Sequence, residues 1–463
     1  RFSREGMKLG DEFRVNQYPG YQHGSGTFDQ SSPAISSLNT GGFVVTWEGY
    51  SNRNTYDISG KGVYARVYNT NGNDVTALSD DILVNNYTSN DQSSPAVTFT
   101  KCCNDGAVDG GFVVAWSSDG QDGDSQGIYS QRFNAQGESM AGANGIANNN
   151  QINTYTTGSQ HHPVVLTRVN NTGVVREYYS GNDGDLIYAW IDATQHSPGY
   201  YGSIPFLYGQ ETKSSFASIF DEHRIGGYNS VNTKYEPLDA TELKNGAYVI
   251  TYNEDPDSGA DRVGWSFCGS KSIYCSYTNT AGQQMSASTF LHMIKYYDAR
   301  DNTWYGDGGF YNPRVAAINF NPQPICSSPS YPQPEGPCRR YLIVYESDAV
   351  IPAGGSISDP ITGDGSGKGI FGFFIGYIDD IEFEGNQISF GWGKGFKINL
   401  ITSGNQHNPD VGAFSDGGFV VSWKAETGSG ANETGGVYLR LSDQITSTPG
   451  VCVNYNNFNK LHC

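Results

Sequence analysis

The chain has 463 residues, a length that suggests two or three domains unless one all-β barrel or propeller holds it all. Lys and Arg number 28 against 47 Asp and Glu, and a net charge of −19 excludes nucleic-acid binding and attraction to anionic lipid. With 59 Gly, 4 Met and 13% aromatic residues, the composition excludes a helical protein and an acidic disordered one, and predicts many short strands joined by tight turns.

In chain order, residues 1–20 come first and hold Phe13-Arg-Val-Asn16, read as an N-terminal strand that is exchanged or added at an edge. The chain starts at Arg1, consistent with a removed signal peptide. Three blocks then follow: Gln30-Ser-Ser-Pro33, Gly41-Gly-Phe-Val-Val-Thr-Trp47 and Gly62-Val-Tyr64-Ala-Arg-Val-Tyr68. They recur as Gln92-Ser-Ser-Pro95, Gly110-Gly-Phe-Val-Val-Ala-Trp116 and Gly127-Ile-Tyr129, and again as Gln406-His-Asn-Pro409, Gly417-Gly-Phe-Val-Val-Ser-Trp423 and Gly436-Val-Tyr438. Weaker copies centre on Pro163 with Trp190, Pro237 with Tyr252, and Pro313 with Tyr345. The six prolines at 33, 95, 163, 237, 313 and 409 stand 62 to 96 residues apart, a period that fits a four-stranded blade.

A fourth element precedes each proline block: Phe13-Arg-Val-Asn16, Ile82-Leu-Val-Asn85, Gln151-Ile-Asn153, Arg224-Ile225, His292-Met-Ile294 and Lys397-Ile-Asn399. Proline suits a first or edge strand, and the Gly-Gly-Phe-Val-Val-x-Trp block suits a strand buried on both faces. Asn71-Gly and Asn134-Ala-Gln-Gly137 mark hairpin turns. The expected fold is all-β: a six-bladed β-propeller of four-stranded blades spanning residues 21–463, with an insertion-rich fifth repeat at about 313–396. Val451-Cys-Val-Asn454 is a seventh copy of the fourth element, which leaves a surplus terminal strand. One copy closes the ring; the other is either a frayed edge or a strand given to a neighbouring molecule, building a head-to-tail chain.

The blocks QxxPxV, GGFVVxW and GIYxQRFN resemble the tandem repeats of large secreted bacterial adhesin and haemolysin-type proteins, the RTX-associated group, over roughly residues 26–137 and 402–441. That resemblance implies extracellular scaffolding or adhesion without defined catalysis. The cysteines and glycosylation sequons depart from it and suggest a eukaryotic secretory route.

Eight cysteines suggest short-loop disulfides, with Cys268–Cys275, Cys326–Cys338 and Cys452–Cys463 as the expected pairs. Cys102 and Cys103 form a vicinal pair or a link to another chain. No zinc-type cysteine pattern occurs. Asn86, Asn170 and Asn432 head sequons in polar, turn-like stretches, so the expected location is secreted or cell-surface. The longest apolar run, Gly369 to Ile378, is too short to cross a bilayer.

Catalytic patterns are weak. HExxH and GxSxG are missing, Gly363–Gly369 lacks the residues of a phosphate-cradling loop, and Asp301-Asn-Thr-Trp304 resembles a sialidase Asp box without its Gly. Asp119, Asp122 and Asp124 form the best candidate calcium loop, three carboxylates in a Gly-rich turn, with Asp255, Asp257, Asp261, Asp359 and Asp364 in the equivalent loops. The repeated Gln30, Gln92, Gln160 and Gln406 read as side chains satisfying backbone, and the strand aromatics as core. His161, His162 and His407 lack a partner constellation. The expected function is a non-enzymatic extracellular structural or adhesive subunit that self-associates. The alternatives are a lectin binding extracellular glycans through exposed loop aromatics, and a propeller glycoside hydrolase.

Overall fold

The computed structural model describes residues 11, 13–17, 30–50, 59–77, 80–101, 110–140, 149–168, 184–193, 206–212, 216, 222–226, 238–242, 248–254, 262–268, 276–278, 284–286, 288–291, 296–298, 303–305, 310–318, 325–326, 336–337, 340–348, 367–376, 396–399, 404–414, 418–427 and 434–441. All assigned elements among them are strands, as the composition predicts. None of the described residues forms a helix long and apolar enough to cross a membrane.

The chain divides into two compact units, one of Leu9–Tyr235 with Cys268–Ala287, the other of Glu236–Phe267 with Ser288–Cys463. The first unit holds three sheets of four or more strands among the described residues. They are β1 (Gln30–Ser37) to β4, through β2 (Phe43–Tyr50), β3 (Lys61–Tyr68) and Ile82–Leu83; β5 (Gln92–Phe99), β6 (Phe112–Asp119), β7 (Gln126–Phe133), β8 (Ser139–Met140) and β9 (Asn150–Gln151); and β10 (Gln160–Thr167), β11 (Leu186–Asp192), β12 (Phe206–Thr212) and β13 (His223–Gly226). The next sheet runs β14 (Asp239–Glu242), β15 (Tyr248–Glu254), β16 (Arg262–Cys268) and β19 (Ser288–Leu291), with the hairpin β17 (Ser276–Thr278) and β18 (Gln284–Ser286) interposed. After the hairpin β20 (Tyr296–Asp298) and β21 (Thr303–Tyr305) come β22 (Phe310–Ala317), β25 (Arg340–Ser347), β26 (Gly369–Gly376) and β27 (Phe396–Lys397), interrupted by β23 (Ile325–Cys326) and β24 (Gly336–Pro337). The last sheet has three strands, β28 (Gln406–Ala413), β29 (Phe419–Thr427) and β30 (Thr434–Leu441).

Neighbouring sheets within a unit place their first strands side by side: β1 against β5 and β5 against β10, then β14 against β22 and β22 against β28. The second strands carry the core. Phe112, Val113, Val114, Ala115 and Trp116 are all fully buried, as are Leu342, Ile343 and Val344. Cross-strand aromatic pairs lock them to the third strands, Trp47 on Tyr64 at 6.2 Å and Trp423 on Tyr438 at 6.1 Å between ring centroids. The strand aromatics are therefore core, as expected.

The paired glycines have a steric cause. A Cβ on Gly42 or Gly111 would stand 2.2 Å from the carbonyl oxygen of Tyr68 or Phe133 on the adjoining third strand. The expected turn after Tyr68 is present, with Gly72 at φ +78° and the Asn69 carboxamide accepting from the Asn71 and Asn73 N–H groups.

A side-chain clip ties three of the sheets to the sheet that follows. Asn85 Oδ1 accepts from Val63 N at 2.8 Å, and Asn85 Nδ2 donates to Gln92 Oε1 at 3.0 Å. The same geometry recurs in Ile128–Asn153–Gln160 and Ile370–Asn399–Gln406. One residue before each Asn, the N–H of Val84, Ile152 or Ile398 donates back to the same third-strand residue at 2.8–2.9 Å. Asn85, Asn153, Asn399 and the three glutamines are buried, so each amide stands in for ladder partners that a two-residue fourth strand cannot supply.

Candidate functional site

Five of the first strands share one irregularity. The residue before Pro33, Pro95, Pro163, Pro313 and Pro409 adopts a left-handed backbone: Ser32, Ser94, His162, Asn312 and Asn408, with φ between 50° and 54°. Each sits where the pairing register slips, for example between Ser93 and Ala96. Proline disfavours the right-handed helical region in its predecessor, and a left-handed non-glycine residue costs on the order of 1 kcal/mol.

Hydrogen bonds to the preceding sheet offset that cost. Ser94 N donates to Glu48 Oε2 at 2.7 Å, His162 N to Ser117 Oγ at 3.0 Å, and Asn408 N to Glu346 Oε1 at 2.6 Å. Glu48, Ser117 and Glu346 all follow the core aromatic of a second strand, Trp47, Trp116 and Tyr345. Burial alone would raise the Glu48 carboxyl. Donors from Ser94, Lys61 and Ser31 outweigh it and hold the group below the usual carboxylate range.

The rim of the second unit is more elaborate. Glu346 is buried and also receives Asn312 Nδ2, Lys368 Nζ at 3.4 Å and His407 Nδ1 at 3.5 Å. His407 Nε2 lies 3.3 Å from Glu426, whose carboxyl is lowered chiefly by that contact. Lys368 also stands 3.5 Å above the Tyr311 ring, a cation–π contact. Lys61 with Glu48 and Lys368 with Glu346 are the same pair in two repeats. On the third sheet His161 instead meets His162, ring nitrogen to ring nitrogen at 2.8 Å; burial and then its neighbour push His161 down to about 4, so it is neutral at pH 7.

The first strands diverge at one register position, opposite the residue that precedes the core aromatic. In the first unit it holds Ala34, Ala96 and Val164, paired with Thr46, Ala115 and Ala189. In the second unit it holds Asp239, Arg314 and Asp410, paired with Thr251, Val344 and Ser422. Asp239 is half-buried; desolvation pushes its carboxyl up to about 6, against the pull of Arg314 and the Val315 N–H, with Asp410 adding to the rise. Its Oδ2 accepts from Val315 N at 2.8 Å. One group titrating near neutrality, one exposed carboxylate and a guanidinium that acts on Asp239 can donate a proton, accept one, and hold hydroxyl groups.

Sequence reasoning did not single out these three. The signal was there in the repeat alignment, as the residue after proline in two copies, but Leu238 displaces it by one in the fourth.

The carboxylates of the expected calcium loop make hydrogen bonds within the chain. Asp124 Oδ2 accepts from Gly158 N at 2.9 Å, Asp122 Oδ1 from Asp124 N at 3.3 Å and Asp122 Oδ2 from Asn153 Nδ2 at 3.5 Å, so these side chains brace the start of the neighbouring sheet. Asp119, which ends β6, donates its N–H to the Asp91 carbonyl. Asn86 is exposed and its N–H donates to Asn149 Oδ1. Cys326 pairs opposite Gly336, two residues before Cys338. Cys268 ends β16. Cys102, Cys103, Cys275, Cys338, Cys452, Cys463, Asn170, Asn432, Asp255, Asp257, Asp261, Asp359 and Asp364 lie outside the described residues, as do residues 1–10 and 451–454.

No family model and no curated protein matches the chain. Among solved structures it is similar to a protein of unknown function from Dyadobacter fermentans, at 10% identity and TM-score 0.44 over 89% of this chain and 94% of that one. It is also similar to an α-L-arabinofuranosidase from Fusarium graminearum in complex with an iminosugar inhibitor, at 12% and 0.43, and to a Penicillium chrysogenum α-L-arabinanase complexed with arabinobiose, at 14% and 0.43. Both cover 89% of this chain and 92% of the other. These matches include glycosidases, which stands against the expectation of a non-enzymatic protein. At TM-scores below 0.5, the residues of the site carry the functional argument and the similarity does not.

Proposed function

We propose that the chain is a six-bladed propeller that acts on an extracellular carbohydrate, as a glycoside hydrolase whose site is built on the first strands of the second unit. The observation that carries this reading is the replacement of Ala34, Ala96 and Val164 by Asp239, Arg314 and Asp410 at one register position. Alanine and valine serve the fold there, so the charges answer to something other than folding. Asp239, pushed up to about 6, supplies the proton for the departing oxygen. Asp410 is the second carboxylate, and Arg314 donates to sugar hydroxyls and keeps the carboxyl groups from repelling one another. The reading keeps the protein extracellular, with short-loop disulfides and glycans at Asn86, Asn170 and Asn432.

The test is turnover and binding on a panel of neutral oligosaccharides and aryl glycosides, arabino-oligosaccharides included. Hydrolysis that falls at least a hundredfold in Asp239→Asn, with binding retained, supports the reading. Absence of both binding and turnover across the panel, or an unaffected Asp239→Asn, overturns it.

A further inference from the structure

The turns after β3 and β7 are built the same way. Asn69 N donates to the Asn73 carbonyl at 2.9 Å, Gly72 N donates to the Asn69 carbonyl at 2.9 Å, and Asn69 Oδ1 accepts from Asn71 N and Asn73 N at 2.9 and 3.0 Å. Asn134 repeats each of these bonds with Gln136, Gly137 and Glu138, and the two glycines share a left-handed backbone, φ +78° at Gly72 and +83° at Gly137. The residue before the glycine differs: Asn71 in the first sheet, Gln136 in the second.

Both of these side chains are exposed, and that of Asn71 makes no hydrogen bond among the described residues. Glycine after it presents no Cβ to crowd the backbone nitrogen. An asparagine so placed cyclises onto that nitrogen through its Cγ, whereas a glutamine has to close the larger and slower glutarimide ring.

We propose that Asn71 is a site of spontaneous deamidation and isomerisation, with a rate set by the hydrogen bonds of Asn69. Gly72 N bonds to Asn71 Cγ, the Cγ–Nδ2 bond breaks, and the side-chain nitrogen leaves as ammonia with the Gly72 proton, giving a succinimide. Water opens that ring. Cleavage at Cγ leaves aspartate; cleavage at the main-chain carbonyl leaves isoaspartate, with the backbone rerouted through the side chain. In the closed turn the Gly72 N–H is held by the Asn69 carbonyl, so the reaction runs as the turn opens.

The isoaspartate form reaches into the sheet. Asp74, two residues beyond Gly72, bridges to Tyr68, and its Oδ2 accepts from Nε of buried Arg66 at 2.7 Å and from its Nη2. The same guanidinium donates to Asp81 at 2.8 Å, and Asp81 receives Gln17 N at 3.1 Å. A methylene added to the backbone at 71 displaces Asp74 from Arg66; a plain aspartate there leaves the backbone, and this cluster, in place.

Peptide mass mapping of the folded full chain during incubation at pH 8 tests this, with fragmentation to locate each change and enzymatic methylation to tell isoaspartate from aspartate. The expected result is a slow amide-to-acid mass gain at residue 71 and none at 136. The gain is several-fold faster in Asn69→Ala, stays near the native rate in Asn69→Asp, which keeps the acceptor, and stops in Asn71→Gln. Aged chain enriched in isoaspartate melts a few degrees below Asn71→Asp, which carries the acid on an unaltered backbone. No gain at 71 in the native chain, or a rate that Asn69→Ala leaves unchanged, overturns the proposal, and an isoaspartate chain that melts with Asn71→Asp overturns its link to Arg66.

Discussion

Two sets of first strands, built on one repeat, show what the fold requires and what it tolerates. In the first unit the position opposite the pre-aromatic residue is Ala34, Ala96 and Val164; in the second it is Asp239, Arg314 and Asp410. The bulge with its left-handed residue before proline occurs in both units. Its backbone geometry therefore belongs to the scaffold, while the residue after it is free to carry charge. The rims divide the same way: Glu48 and Glu346 both receive a bulge N–H, but only Glu346 also meets a histidine.

The sharpest way to break this comparison is at the shared latch. Glu346→Ala removes a fully buried carboxylate that satisfies Asn408 N, Asn312 and Lys368, and leaves those donors without it. The expected loss is about 3–5 kcal/mol in chemical denaturation. Glu48→Ala, at a more open site, should cost about 1–3 kcal/mol. Equal losses would show that the second unit's extra partners add nothing to the latch.

A second effect, next in size, concerns the clips. Asn85→Ala and Asn399→Ala each strand the N–H of a buried third-strand residue and a glutamine carbonyl, at an expected cost of about 2–3 kcal/mol. Aspartate at the same place can accept from Val63 N but cannot donate to Gln92, so Asn85→Asp should recover part of the loss. A full recovery would sink the two-sided role.

The repeat made most of this legible in the sequence. The Pro block, the Gly-Gly-Phe-Val-Val-x-Trp block and the Val-Asn element each became a strand or part of one because their residue types leave few alternatives: glycine where a Cβ would strike a carbonyl, β-branched residues where both faces are buried. Glutamine as a satisfier of buried polar groups followed from its recurrence. The charged trio did not, because its meaning lies in register across sheets, and a one-residue offset at Leu238 hides Asp239 from an alignment anchored on proline. Nor did the latch. A glutamate after an aromatic reads as a solvated strand end until the next sheet places an N–H on it.

The histidine pair of the first unit gives a smaller, pH-dependent effect. His161 is held at about 4 when folded, below its ordinary 6.5, so its contribution is complete above pH 6.5 and is lost as pH falls toward 4. Replacing it with Gln should flatten the stability profile over that window by about 1–2 kcal/mol, allowing for partial exposure. A profile as steep as the native one would show that another group carries the acid lability.

The smallest expected effect bears most directly on the charged trio. Asp239 has its folded pKa raised from 3.8 to about 6, so its stabilising contribution is complete below pH 3.8 and is lost as pH rises through 6. At pH 8 the native protein holds an ionised, half-buried carboxylate at a net cost. Asp239→Asn keeps an acceptor for Val315 N and removes that cost, so it should raise stability at pH 8 by about 1 kcal/mol and change little at pH 4. Exchanging the trio for the residues of the first unit, Asp239→Ala with Arg314→Ala and Asp410→Val, should likewise leave the melting temperature within a few degrees of native while abolishing turnover. A collapse in stability on that exchange would make the charges structural and remove the reason for placing a reaction on these strands.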